Sequence, residues 1–176
     1  MVEIKEVNNA RERKRFLDFP YSLYKGNECY TPPLYGDEKL IFSKNNVYHD
    51  TCESVFFNAY KDGKHSGRIQ GIIQSASNKK TGENRVRFTR FDSVDDEEVA
   101  AALFGAVEDW AKKRGCEIIC GPLGYSDLER EGLLIEGFDQ TNTFEEQYNH
   151  EYYAKLIESV GLKKEVDWIE YRVFMP

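Results

Sequence analysis

Between residues 97 and 110 the apolar positions Val99, Leu103, Ala106, Val107 and Trp110 recur at steps of three and four, with Glu108, Asp109, Lys112 and Lys113 opposite. That spacing predicts an amphipathic helix. Gly115, just past the basic run Lys112-Lys113-Arg114, is a good stop, because glycine accepts the left-handed cap and cations favour a helix C-terminus. Glu117-Ile118-Ile119-Cys120 is then an apolar run too short for a helix, closed by Gly121-Pro122, and reads as a buried strand at the centre of a sheet. Helix and strand form a core unit that the rest of the chain must cover.

Upstream, residues 2–7 alternate apolar and charged side chains, the pattern of a half-buried strand. Asn8-Asn9 offers a cap for a helix over 10–18, which Pro20 ends or bends. Residues 21–50 are irregular and rich in tyrosine and proline, with one short helix near 37–42; connections this long usually form or cover a site. A hairpin follows, with strands over 54–60 and 67–74 around the turn signal Asp62-Gly63. Residues 77–82 read as a polar turn and 85–91 as a third strand. Ser93 with Asp96, or Asp95 with Glu98, then offers a capping box for the long helix. Further on, Ser126 or Asp127 caps a single helical turn, Leu133-Leu134-Ile135 is an apolar plug, 151–160 is a helix stopped by Gly161, and 167–175 is a closing strand. A meander, a helix and a crossover strand imply an α/β (α+β) fold: a mixed sheet with helices on both faces.

Composition narrows the function classes. A chain of 176 residues fits one domain over 1–176, with core enough to fold. Its net charge of −7 opposes nonspecific nucleic-acid binding, which needs a basic face. No apolar run approaches the roughly 18 residues of a membrane span, and no signal-peptide core is visible, so a cytoplasmic protein without membrane partners is expected. Cys29, Cys52, Cys116 and Cys120 form no CxxC pair and His49, His65 and His150 are scattered, so no metal site is expected.

The order of elements resembles the GNAT acyltransferase superfamily. So do Tyr30-Thr31-Pro32-Pro33-Leu34, Gly67-Arg68-Ile69, Gly121-Pro122-Leu123-Gly124, Gly132-Leu133-Leu134-Ile135-Glu136-Gly137-Phe138-Asp139, and Tyr148-Asn149 with Tyr152-Tyr153, which together resemble the N-terminal half of longer bacterial GNAT-like proteins. The resemblance implies an acyl-CoA (acetyl-CoA) site between the third meander strand and the strand after the long helix, held by backbone of Phe91, Asp92 and Ser93. It places an amine acceptor among Tyr24, Tyr30, Tyr35, Asp139, Tyr148 and Asn149. It also implies pairing with a second GNAT-like domain, or a homodimer.

Two departures from the family pattern bear on the chemistry. The loop at the helix start, Asp92-Ser93-Val94-Asp95-Asp96-Glu97-Glu98, has no glycine and five carboxylates, which suit the positive helix end but repel a pyrophosphate there. Where many members carry an acid tyrosine on the later helix this chain has Ile157, with Tyr152 and Tyr153 one to two turns earlier. Glu136, Tyr152 and Tyr153 are therefore the catalytic candidates, with Glu53 as another conceivable carboxylate. Two readings stand: an acyl-CoA-dependent N-acyltransferase, or a GNAT-fold module that binds a ligand or a like domain without catalysis.

Overall fold

In the computed structural model, which describes residues 1–171 together with 173 and 174, Asp62 and Gly63 take φ of 52° and 77°. Both are left-handed, as a tight hairpin turn requires. They join β2 (Cys52–Lys61) to β3 (Lys64–Gln74). β1 (Val2–Glu6) lies antiparallel to β2, β4 (Arg85–Ser93) antiparallel to β3, and β5 (Ile118–Cys120) parallel to β4, in the order β1-β2-β3-β4-β5. The sheet is mixed, as expected, but β5 sits at the edge of the described strands rather than at their centre. Pro122, lacking an N–H, cannot continue the ladder, and β5 stops while β4 runs on.

Alternation assigns the faces. Val55, Phe57, Ala59 and Ile69 pack on one side with Val99, Leu103, Phe104 and Val107 of α4 (Glu97–Lys112). Phe56 and Ile72 pack on the other with Phe16 and Leu17 of α1 (Ala10–Leu23). α4 approaches β3 closely because β3 presents glycine there: a Cβ on Gly67 would stand 2.8 Å from Leu103 Cδ1, and one on Gly71 would stand 3.1 Å from Val107 Cγ1. α4 is capped by Asp96, whose side chain accepts from the N–H groups of Glu98 and Val99, so neither expected capping box forms.

Other expectations need correcting. α1 does not end at residue 18 but continues through Pro20 to Leu23. The carbonyl that Pro20 cannot bond, that of Phe16, instead accepts from Arg68 Nη1 at 2.9 Å. The polar turn at 77–82 is a helix, α3 (Ser75–Thr81), closed by left-handed Gly82. The short helix near 37–42 is α2 (Tyr35–Glu38) followed by a 3-10 turn, Lys39–Phe42. Around Ser126 there is only a turn, and the last helix is the shorter α5 (Tyr153–Ser159). The closing strand at 167–175 is absent among the described residues: Trp168, Ile169, Tyr171, Val173 and Phe174 are exposed and unladdered, and Met175 lies outside them. No described helix is long and apolar enough to cross a membrane.

Two glycine substitutions separate close packing from helix propensity. Gly67→Ala should lower stability by roughly 1–3 kcal/mol through overpacking against α4. Gly105→Ala, inside α4 with open space around it, should raise stability by roughly 0.5–1 kcal/mol. Urea unfolding of both variants measures the difference in sign.

Candidate functional site

The distal half of β4 is where the fold becomes irregular. Arg68 faces Asp92 and Gln70 faces Thr89, so Ile69 alone stands opposite the pair Arg90-Phe91. This is a β-bulge, with Arg90 left-handed at φ 49°. β5 pairs only with Arg85, Val86 and Arg87. The bulge and the early end of β5 together open β4 from Thr89 onward, and Thr89, Arg90, Phe91 and Asp92 all line a cavity of about 580 Å³.

Asp92 is the polar centre of this region. It is buried, and Arg68 Nε donates to its Oδ2 at 2.7 Å. The Tyr24 and Tyr153 phenols lie 2.9 Å apart and reach Asp92 Oδ1 at 3.1 and 3.0 Å. Burial, and then the charge of Asp92, push both phenols well above the usual tyrosine range, so they stay protonated as donors. The next residue is enclosed as well: Ser93 N–H donates to Tyr153 Oη at 3.3 Å, and Tyr152 Oη donates to Ser93 O at 2.8 Å. Stacked rings run from Tyr30 to Tyr24 to His150 to Tyr152, linking the cavity wall to the end of β4.

The cavity floor is ionic. Arg90 grips both oxygens of Glu38 at 3.1 Å, donates to Gln70 Oε1 at 2.8 Å, and has Glu129 3.5 Å away. Burial alone would raise the Glu38 carboxyl, but Arg90 outweighs it and holds Glu38 at about 2. The lining carries Asp37, Glu38, Asp92, Glu129 and Glu145 against Arg68, Arg90 and Arg130, so it is net negative. Arg130 donates from Nε to the Phe144 carbonyl at 3.2 Å, and burial lowers its hold on its proton.

The structure brings Tyr24, Tyr30, Phe91, Asp92 and Tyr148 to the cavity wall, and Tyr152, Tyr153 and Ser93 immediately behind it. Tyr148 Oη donates to Phe138 O at 2.9 Å. Tyr35 lies outside the lining, donating to Asp18 at 2.9 Å. Asn149 is buried with its side chain clamped to Leu134 N and O at 2.8 and 3.0 Å. Glu136 and Asp139 are exposed, and Glu53 pairs with Arg114 at 2.8 Å beside the C-terminal end of α4. Ile157 packs against the α4 core. Sequence reasoning did not single out Arg68, Arg90 or Glu38. An arginine between Gly67 and Ile69 in the middle of a strand was a readable sign of a buried ion pair, whereas Glu38 gave none.

The groups that would hold acyl-CoA at the start of α4 do not fit it. Asp96 occupies two of the free N–H groups there, Lys61 bridges Asp96 and Glu98, and Lys155 pairs with Glu97. The cations near this helix end are thus already engaged by its carboxylates, and the Ser93 backbone is engaged by two phenols. Among the described residues no group of three or more His, Cys, Asp or Glu could hold a metal ion.

The Arg90–Glu38 pair should appear in the pH dependence of stability. A carboxyl held below its usual 4.5 contributes stability above that pH and loses it as pH falls toward about 2. Glu38→Gln should therefore cost about 2–3 kcal/mol at pH 6, with the gap to the unsubstituted chain shrinking below pH 4.5. Urea unfolding from pH 6 to pH 3 measures it; a gap independent of pH would refute the pair.

No protein-family profile matches the chain. Protein YghO of Escherichia coli (strain K12) is 34% identical over 163 residues, covering 93% of this chain and 42% of that protein. The bacterial ceramide synthase of Caulobacter vibrioides (strain NA1000 / CB15N) is 30% identical over 169 residues, covering 94% of this chain and 44% of that protein. The chain thus spans less than half the length of these curated relatives. Among solved structures, a predicted acetyltransferase with acetyl-CoA from Clostridium acetobutylicum superposes with a TM-score of 0.58 at 11% identity, over 98% of this chain and 96% of that one. An aminoglycoside acetyltransferase from an uncultured soil metagenomic sample, in complex with sisomicin, gives 0.56 at 10% identity, over 100% and 96%. The aminoglycoside N-acetyltransferase AAC(6')-Iy in complex with CoA gives 0.56 at 14% identity, over 98% and 95%. This chain has the fold of the GNAT acetyltransferases.

Proposed function

We propose that this chain is the acceptor-binding part of an acyl-CoA-dependent N-acyltransferase, with the cavity beside β4 holding the amine. The observation that carries this reading is the net negative cavity at the open end of β4, whose lining favours an ammonium group. At about 580 Å³ it falls within the roughly 300–1,000 Å³ of small-molecule sites. Acyl-CoA supplies the activated acyl group in such a reaction, and the products are an amide and free CoA. Relatives support the bond type: structural neighbours act on amines, and a ceramide, the product named for the Caulobacter relative, is itself an amide.

The closed start of α4 favours a second feature of the same reading. Because Asp96 and the tyrosines occupy the groups a pyrophosphate and thioester would use, the acyl-CoA site lies outside this part of the protein. The greater length of the relatives leaves room for it in a companion half. The chain would then pair with a catalytic partner rather than catalyse alone.

Calorimetric titration separates the possibilities. A primary amine should bind saturably, while acetyl-CoA and longer acyl-CoAs should give no heat and should not compete. Replacing the exposed rim carboxylates, by Asp37→Asn with Glu145→Gln, should weaken amine binding roughly two- to fivefold without changing the melting temperature. Absence of amine binding would sink the acceptor assignment. Amide formation from acyl-CoA by this chain alone, read by mass spectrometry, would instead show that the cofactor site lies within it.

A further inference from the structure

One cation of the cavity is not spent on the protein's own carboxylates. The acidic groups of the floor are held: Asp92 by Arg68 and two phenols, and Glu38 by Nε and Nη2 of Arg90. Glu129 accepts from the Tyr125 N–H at 3.2 Å, with Arg90 3.5 Å away. Arg130 is different. It lines the cavity half-buried, beside the mouth, where its Nε donates to the carbonyl of exposed Phe144. Among the described residues neither of its Nη groups makes a hydrogen bond or an ion pair. Tyr30 stands with it on the wall, its ring stacked on Tyr24 at 4.1 Å between centroids. Burial, and then the charge of Asp92, push the Tyr30 phenol up, so it stays a donor, and Arg130 is among the charges that act on it. That phenol, too, makes no hydrogen bond among the described residues. A guanidinium fork and a phenol O–H, both short of an acceptor, match an oxyanion. The surplus negative charge lies elsewhere, on Asp37 and Glu145, which are exposed at the mouth.

Resting on the acceptor reading above, we propose that the amine taken here also carries an oxyanion, a carboxylate or a phosphate. Arg130 and Tyr30 receive that oxyanion, and the ammonium faces Asp37 and Glu145. The two ends contribute unequally. Asp37 and Glu145 stand in water, which screens their attraction for an ammonium. Arg130 is withdrawn from water far enough that burial lowers its hold on its proton, and a bound anion offsets that cost. A planar guanidinium meets a carboxylate or a phosphate through two parallel hydrogen bonds, which a simple alkylamine cannot use. The oxyanion therefore supplies the larger share of affinity, and the ammonium sets the orientation.

The test is calorimetry at neutral pH with butylamine, butyrate and three anion-bearing amines: γ-aminobutyrate, ε-aminocaproate and aminopropyl phosphate. Each is titrated into the unsubstituted chain and into Arg130→Gln and Tyr30→Phe variants, with thermal melting as the check on folding. The best of the three should bind roughly tenfold more tightly than butylamine, and whether a carboxylate or the phosphate leads identifies the oxyanion. Arg130→Gln should erase that advantage and bind butylamine more tightly, since a cation has left the cavity; a loosened fold would weaken both. Tyr30→Phe, which keeps the stacked ring, should cut the advantage roughly two- to tenfold. Butylamine matching all three on the unsubstituted chain, or an advantage kept in folded Arg130→Gln, overturns the oxyanion assignment and leaves the acceptor reading standing. Butyrate binding as tightly as γ-aminobutyrate overturns the two-ended ligand. Failure of every amine to bind removes the acceptor reading together with this one.

Discussion

A single unfilled hydrogen bond underlies the architecture of the site. Pro20 sits inside α1 and has no N–H to give to the carbonyl of Phe16, four residues back. Arg68 fills that vacancy with Nη1 and turns its Nε to Asp92, so α1, β3 and β4 meet at one guanidinium. Asp92 in turn gathers Tyr24, which caps the end of α1, and Tyr153 from α5. Breaking a buried charge pair by removing one partner costs about 3–5 kcal/mol, whereas exposed pairs such as Lys112–Glu108 contribute about 0–1 kcal/mol. The buried pair is therefore the one the region depends on. A proline that reads as a helix breaker is, in three dimensions, what frees an acceptor for it.

Just beyond this same end of β4, at the start of α4, the same economy of groups works against a ligand. A helix N-terminus attracts anions through its free N–H groups and its dipole. At α4 both resources are committed to the protein's own side chains: Asp96 takes the N–H groups of Glu98 and Val99, and Glu97 and Glu98 supply negative charge. Lys61 on β2 and Lys155 on α5 then tie this acidic end to the neighbouring elements. The result stabilises α4 where it lies and leaves little attraction for a pyrophosphate. Fold and chemistry separate at this helix end.

How much of this the sequence revealed depended on range. Hairpin, β4 and α4 were legible because their signals are local: Asp62-Gly63, alternation, and the three-four stripe from Val99 to Trp110. The tyrosines of the connection were legible as a group, yet Tyr35 turns to Asp18 while Tyr24 and Tyr30 reach the cavity, and nothing in their spacing separates them. The Glu38–Arg90 pair was hidden because it joins residues 52 apart through a bulge that no local motif announces. Val166, Trp168, Ile169, Tyr171, Val173 and Phe174 show the opposite failure: a strand pattern is legible, yet these side chains are exposed and none of these residues joins a ladder.

The Asp92 cluster also limits what substitution can reveal about the cavity. Tyr24 stacks on Tyr30 and on His150, and its phenol lies on Asp92, so one side chain is at once cavity wall and structural support. Truncating it removes packing and leaves a buried carboxylate short of a donor, and the loss of fold would mask any loss of binding. The residues that report on ligand alone are those whose polar or apolar surface faces the opening without holding another element in place. On the floor that role falls to no single group, because Arg68, Arg90, Glu38 and Asp92 all bridge elements. At the rim it falls to Leu128 and Val47, whose exposed surfaces face the opening. The chemistry of what enters is thus best read from the rim, and the integrity of the fold from the floor.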